Sequence, residues 1–162
     1  MSIRDTFLPE FELEMATTRR LLARVPTEKG QWKPHAKSFA LGHLAQLVAW
    51  MPSWVANTVR DTNLDLASQS GYSFETTETL LAMFDKNVKE AGEALAAASD
   101  ADFAVTWALT RGDRVLWSAP RQTVVRTHIN HLIHHRGQLT VYLRLLDVPI
   151  PPIYGPTADE RM

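Results

Sequence analysis

Four of the six histidines in this 162-residue chain fall within eight positions, at His128, His131, His134 and His135. They lie in the stretch 122–146, QTVVRTHINHLIHHRGQLTVYLRLL. On a helix turning about 100° per residue, His128, His131 and His135 share one face with Val124, Leu132, Leu139 and Leu143. The three imidazoles fall within about 60° of one another, while His134 points roughly 100° away from His135. An imidazole on an apolar face requires a hydrogen bond or a metal, because burying it unpartnered costs free energy. His131 and His135 are spaced i, i+4, one turn apart, so both side chains can grip one divalent ion. His43, in a second apolar stretch, is a further donor. The competing reading makes all of these core or surface histidines. The pattern lacks the glutamate of the His-Glu-x-x-His metalloprotease motif and has no inward Glu-x-x-His pairs of the di-iron kind.

Neighbouring residues have plainer roles. Arg136 is expected to pair with a carboxylate, and Gln138 flanks the metal candidates. His35, between Pro34 and Lys37, reads as a loop residue. Trp50 and Trp54 pack the core or a subunit interface.

Composition narrows the chemistry. With 45% apolar residues, the chain at 1–162 reads as one domain with a substantial core. A net charge of −1 gives no reason to expect nucleic-acid binding. Cysteine is absent, which excludes disulfides, a thiolate nucleophile and any cysteine-based zinc site. A metal would have to use histidine, carboxylate or water. No apolar run approaches the roughly 18 residues of a membrane span, and acids stand where a secretion signal would be apolar. The expectation is a cytoplasmic protein that engages no membrane.

The elements that must carry these histidines follow from periodicity. Residues 4–25 form a first helix on Phe7, Phe11, Met15, Leu22 and Val25, stopped by Pro26. After a polar connection, Ser38 is the expected N-cap of a second helix reaching about residue 60, kinked at Pro52. Residues 61–73 have no period and read as a loop. A third helix spans 74–98, with Thr76 or Thr77 as its cap. Alternating Phe103, Val105, Trp107 and Leu109, then Val115 and Trp117, predict a hairpin that turns at residues 111–114. The Arg-Gly-Asp triplet there is read as that turn. The histidine stretch is the fourth helix, and a proline-rich tail follows, pinned by Tyr154. Four amphipathic helices of roughly 20–25 residues give an all-α four-helix bundle with a small hairpin before the last helix. Five tryptophans, two of them on the second helix, suggest surplus apolar surface and hence a homodimer.

The run His128-Ile129-Asn130-His131-Leu132-Ile133-His134-His135-Arg136-Gly137-Gln138 resembles the last-helix signature of the DinB/YfiT-like family. Tyr142-Leu143-Arg144, Val148-Pro149 and the run from Tyr154 to Glu160 are similar to the same family, as are Trp32 to Ser38 and Met51-Pro52-Ser53-Trp54. The resemblance covers nearly the whole chain. It implies a four-helix bundle, commonly dimeric, with a divalent metal held by three histidines, two of which match His131 and His135. The family's usual third ligand comes from the second helix, at the position aligned with Leu47, and leucine cannot ligate a metal. Three alternatives stand. His43, one turn earlier and about 40° from Leu47 on the wheel, is the favoured substitute. His128 completes the site from the fourth helix. Or the site has lost tight binding, since two protein ligands alone hold a metal weakly.

The resemblance implies a metalloenzyme with zinc or nickel. The ion would activate a low-molecular-weight thiol cosubstrate, for transferase or isomerase chemistry, or a water, for hydrolase chemistry. The alternative is a non-catalytic, dimeric stress-associated or binding protein with a degenerate site.

Overall fold

In the computed structural model, which describes residues 2–68 and 71–161, apolar periodicity becomes four long helices. They are α1 (Ile3–Leu22), α2 (Leu41–Arg60), α3 (Thr77–Ala97) and, after a short α4 (Asp100–Ala104), α5 (Arg121–Leu145). Each long helix packs against two others: α2 against α3 and α5, and α1 against α3 and α5. Phe11, Leu21 and Leu22 of α1 meet Leu44, Val48 and Met51 of α2, Leu80 and Phe84 of α3, and Ile129, Leu139 and Leu143 of α5 in one apolar cluster. Among the described residues, no helix is long and apolar enough to cross a membrane.

The ends of the helices follow local chemistry, with one correction. Thr76 caps α3, its hydroxyl accepting from the Thr79 N–H at 3.2 Å. Ser38 does not cap α2. The N-cap is Ala40, and the first N–H groups of the helix go instead to backbone carbonyls, Leu41 to Trp32 and Gly42 to Gly30, both at 2.9 Å. The preceding loop folds back over the helix start and does the hydroxyl's work. Helix α2 continues through Pro52 to Arg60.

The second correction concerns residues 61–73. They are not all loop: Asn63–Asp65 form β1, followed by a 3-10 turn at Leu66–Ser68. Strand β1 runs parallel to β2 (Thr106–Arg111), which pairs antiparallel with β3 (Arg114–Pro120). The hairpin turn falls at Gly112-Asp113, where Gly112 has φ +56°, the left-handed conformation that glycine adopts without penalty. Asp65 Oδ1 accepts from the N–H of Gly112 and of Ala67, fastening β1 to the turn. Phe103, expected on the hairpin, is buried on α4 instead. The register aligns Leu64 with Leu109 and Leu109 with Trp117, so three apolar side chains cross one face of the sheet in a row.

Candidate metal site

Helix α5 buries Val124, Val125, His128, Ile129, Leu132, His135, Arg136, Leu139, Tyr142 and Leu143. The face is close to the one its periodicity predicts, with three departures. Ile129 is buried as well. His131 sits at its exposed edge, and Arg136 lies inside it, 1% exposed. The buried guanidinium is compensated. Its Nη1 lies 2.6 Å from Glu14 Oε2 on α1, and its Nη2 donates to the Tyr154 hydroxyl at 2.9 Å. That hydroxyl donates in turn to Glu14 Oε1 at 2.8 Å. Arg136 thus pairs with a carboxylate, and Tyr154 pins the tail, as the sequence suggests.

His131 and His135 come together as their spacing requires, with Nε2 atoms 2.9 Å apart. His135 Nδ1 lies 2.7 Å from Gln138 Oε1, and the amide nitrogen of Gln138 lies 3.1 Å from His134 Nε2. This orientation of the amide is self-consistent: the Gln138 oxygen accepts from His135 Nδ1–H while its NH₂ donates to His134. The Nδ1–H tautomer leaves a lone pair on His135 Nε2, pointed at His131. Two imidazoles sharing a tetrahedral ion at ordinary zinc–nitrogen distances stand about 3.3 Å apart at nitrogen, so a small opening of the pair admits one. The donor set fits a divalent metal at these two positions, with Gln138 as the outer hydrogen-bond partner that fixes the ring. Gln138 is the residue whose role the spacing alone could have shown, since it lies i+3 from His135 and i+4 from His134.

The third ligand is not assembled. Among the described residues, no group of three or more histidines or carboxylates is arranged to hold a metal ion. His43 stacks on Tyr72 at 3.6 Å and on Phe39 at 4.3 Å between ring centroids. Phe39 also neighbours His135, at 6.2 Å. Its side chain is exposed, so it can move aside. Leu47 is buried in the core. His128 is packed by Trp54 at 5.7 Å and Trp107 at 5.9 Å, and among the described residues neither of its ring nitrogens has a hydrogen-bond partner.

Loss of water contact sets the protonation of all four rings. Burial, then the neighbouring His131, pushes the pKa of His128 down to about 4. Burial lowers His43 too, helped by Lys33 and His135. His131 is lowered by desolvation and then by His135 and His134. His135 is lowered by burial, partly opposed by its bond to Gln138. All four shifts favour the neutral ring, the form that ligation requires.

A stability prediction follows for His128. In the unfolded chain the ring titrates near the ordinary imidazole value of about 6.5, so the unfolded state takes up the proton first as pH falls. Nothing is lost above about pH 6.5, and stability falls between there and pH 4, by about 3 kcal/mol in all. Urea midpoints at pH 7 and pH 4.5 should differ more for the wild type than for His128→Phe. Parallel profiles would remove this account of the ring.

Comparison with known proteins gives a consistent picture. A model of the DinB family matches residues 1–161. The uncharacterized protein YrdA of Bacillus subtilis (strain 168) is 26% identical over 156 residues, covering 96% of this chain and 90% of YrdA. Two crystal structures share the fold. The DinB-like protein YjoA of Bacillus subtilis superposes with a TM-score of 0.72 at 17% identity, over 97% of this chain and 99% of its own. A DinB-like protein of Bacillus cereus ATCC 10987 also gives 0.72, at 23% identity, over 93% and 97%.

Proposed function

Because the chain belongs to the DinB family, we propose that it is a metal-dependent enzyme of that type, with His131 and His135 holding a divalent ion, zinc or nickel. His43 is the proposed third ligand, reached when Phe39 moves aside, with His128 as the substitute. The four long helices are read as one four-helix-bundle domain spanning residues 1–162. The observation that carries the reading is the 2.9 Å approach of two imidazole nitrogens, one of which Gln138 holds in the metal-binding tautomer. A divalent ion so held lowers the pKa of a bound water or thiol, which suits transfer or isomerisation with a thiol cosubstrate, or hydrolysis. The chain's own contributions are positional. Gln138 fixes the His135 ring, and Trp54, 5.9 Å from His131, screens one side of the pair from water.

A homodimer and a cytoplasmic location belong to the same proposal. Trp50 stacks on Tyr72 and Trp54 covers the histidines, and both rings stay half-buried. Exposed Val115, Leu116 and Trp117 on β3 add apolar surface in support of a dimer.

The alternative is a non-catalytic, dimeric stress-associated or binding protein with a degenerate site. Leu47 in the core and the unassembled third ligand favour it. Elemental analysis separates the two readings. Tag-free protein reconstituted with zinc or nickel should carry one ion per chain, and binding should persist somewhat below pH 6.5 because all three rings titrate low. Protein that stays metal-free after reconstitution belongs to the second reading.

A further inference from the structure

Four polar side chains of α5 form one hydrogen-bonded row that runs from solvent to the histidine pair. His134 Nε2 lies 3.1 Å from the Gln138 amide nitrogen, Gln138 Oε1 lies 2.7 Å from His135 Nδ1, and His135 Nε2 lies 2.9 Å from His131 Nε2. Each member can both donate and accept, so the row closes in either of two directions. In the first, the Gln138 amide donates to His134 and its oxygen accepts from His135 Nδ1–H, which leaves the lone pair on His135 Nε2 to accept from His131. In the second, His134 Nε2–H donates to the Gln138 oxygen, the amide donates to His135 Nδ1, and the His135 proton sits on Nε2. Both directions satisfy the same number of hydrogen bonds, so the middle of the row does not choose between them. The amide stands in the first direction, with its nitrogen towards His134. What stands at position 134, the solvent end, sets that direction: an acceptor holds the amide as it is, and a donor turns it round.

We propose that His134 is a positioning residue for the metal pair: by accepting the Gln138 N–H it fixes the amide, and through the amide it keeps the His135 proton on Nδ1. Only this direction leaves His135 Nε2 able to ligate, since a protonated ring nitrogen has no lone pair to give. His134 is i, i+4 from Gln138 and His135 is i, i+3 from it, so both links lie on one helix and no other element has to move for the amide to turn. His134 and Gln138 are exposed, so each link competes with water and biases the amide by roughly two- to tenfold. A ring that spends part of its time in the wrong tautomer binds metal more weakly in proportion to the competent fraction. That consequence for a metal rests on the proposed function, whereas the position of the His135 proton does not.

The test uses metal-free protein at about pH 8, above the ordinary imidazole range, where the rings are neutral and only their tautomers differ. Long-range proton–nitrogen spectra report which His135 nitrogen carries the proton. The wild type should show it on Nδ1. His134→Glu, which only accepts, should keep it there, whereas His134→Lys, which only donates, should turn the amide and move the proton to Nε2. Position 134 is exposed, so neither substitution disturbs the core. Zinc affinity should follow the proton, with His134→Lys binding roughly tenfold more weakly than His134→Glu. Charge alone also separates these two variants, so both are repeated in a Gln138→Leu background, where the amide link is gone and only screened electrostatics remains. There the gap should narrow by about threefold or more, the part that the hydrogen bond supplies. A His135 proton that stays on Nδ1 in His134→Lys, or an equal gap in the two backgrounds, would overturn the proposal. Protein that binds no zinc yet moves the His135 proton in His134→Lys would uphold it and remove only the metal reading, so the two fail separately.

Discussion

Replacing His135 by alanine should abolish zinc binding. The ring supplies one Nε2 donor and lies at the centre of the site, linked to His131 on one side and to Gln138 on the other. Losing one of three ligands from an open site removes most of the affinity, whereas loss of an outer partner costs about 10–100-fold. Gln138→Leu should therefore weaken binding within that smaller range. The third ligand gives a sharper contrast. If His43 completes the site, His43→Ala should weaken zinc binding far more than His128→Ala, and Phe39→Ala should tighten it by freeing the His43 ring. If the site is degenerate, His43→Ala should change nothing, while Leu47→His should create tight binding by restoring the ligand that the resemblance implies. That substitution puts a polar ring into the core, so the metal-free variant should melt below the wild type and be raised more by zinc. Titration calorimetry with zinc reads all six variants. Wild-type affinity in His135→Ala would contradict the site.

The largest effect on stability is expected at Arg136. Arg136→Met leaves Glu14 buried at 5% exposure with no cation beside it. Breaking a buried pair in this way costs about 3–5 kcal/mol, and for a chain of this length the melting temperature should fall by on the order of ten degrees. The guanidinium also donates to the Glu14 carbonyl and the Thr18 hydroxyl, so α1 and α5 lose their buried polar tie and keep only the more exposed Arg126–Glu10 pair. Removing both charges in Arg136→Met/Glu14→Leu should recover most of the loss, because no orphan charge remains. Tyr154→Phe should cost about 1 kcal/mol, since it removes one hydroxyl from the network and leaves the ion pair. A loss below about 1 kcal/mol in Arg136→Met would show that the pair is not needed to hold the two helices.

These two predictions rest on features that the sequence discloses unequally. The four long helices follow from apolar spacing, since Phe7, Phe11 and Met15, or Leu44, Val48 and Met51, recur at the helical period and are buried. Thr76 is legible as a cap because it acts within four residues of itself. Ser38 misleads for the complementary reason. The groups that serve the start of α2 are the carbonyls of Gly30 and Trp32, which only the folded loop brings there. Strand β1 is illegible because Asn63-Leu64-Asp65 carries weak strand formers and pairs with residues 108–110, far along the chain. At the site, His131 and His135 could be read from their spacing, and Gln138 could have been. The stacking of His43 between Phe39 and Tyr72 could not, because Tyr72 arrives from the connection after β1. The orphaned nitrogens of His128 depend on Trp54 and Trp107 from two other elements.

The central claim is that His131 and His135 face each other to share a metal and not merely a hydrogen bond. Ring nitrogen resonances recorded during a zinc titration test it most directly. The Nε2 signals of both residues should move to ligated values at one equivalent of zinc, while His135 Nδ1 keeps its proton, hydrogen-bonded to Gln138 Oε1. Nε2 signals that stay where they are in the metal-free protein, with saturating zinc present, would contradict it.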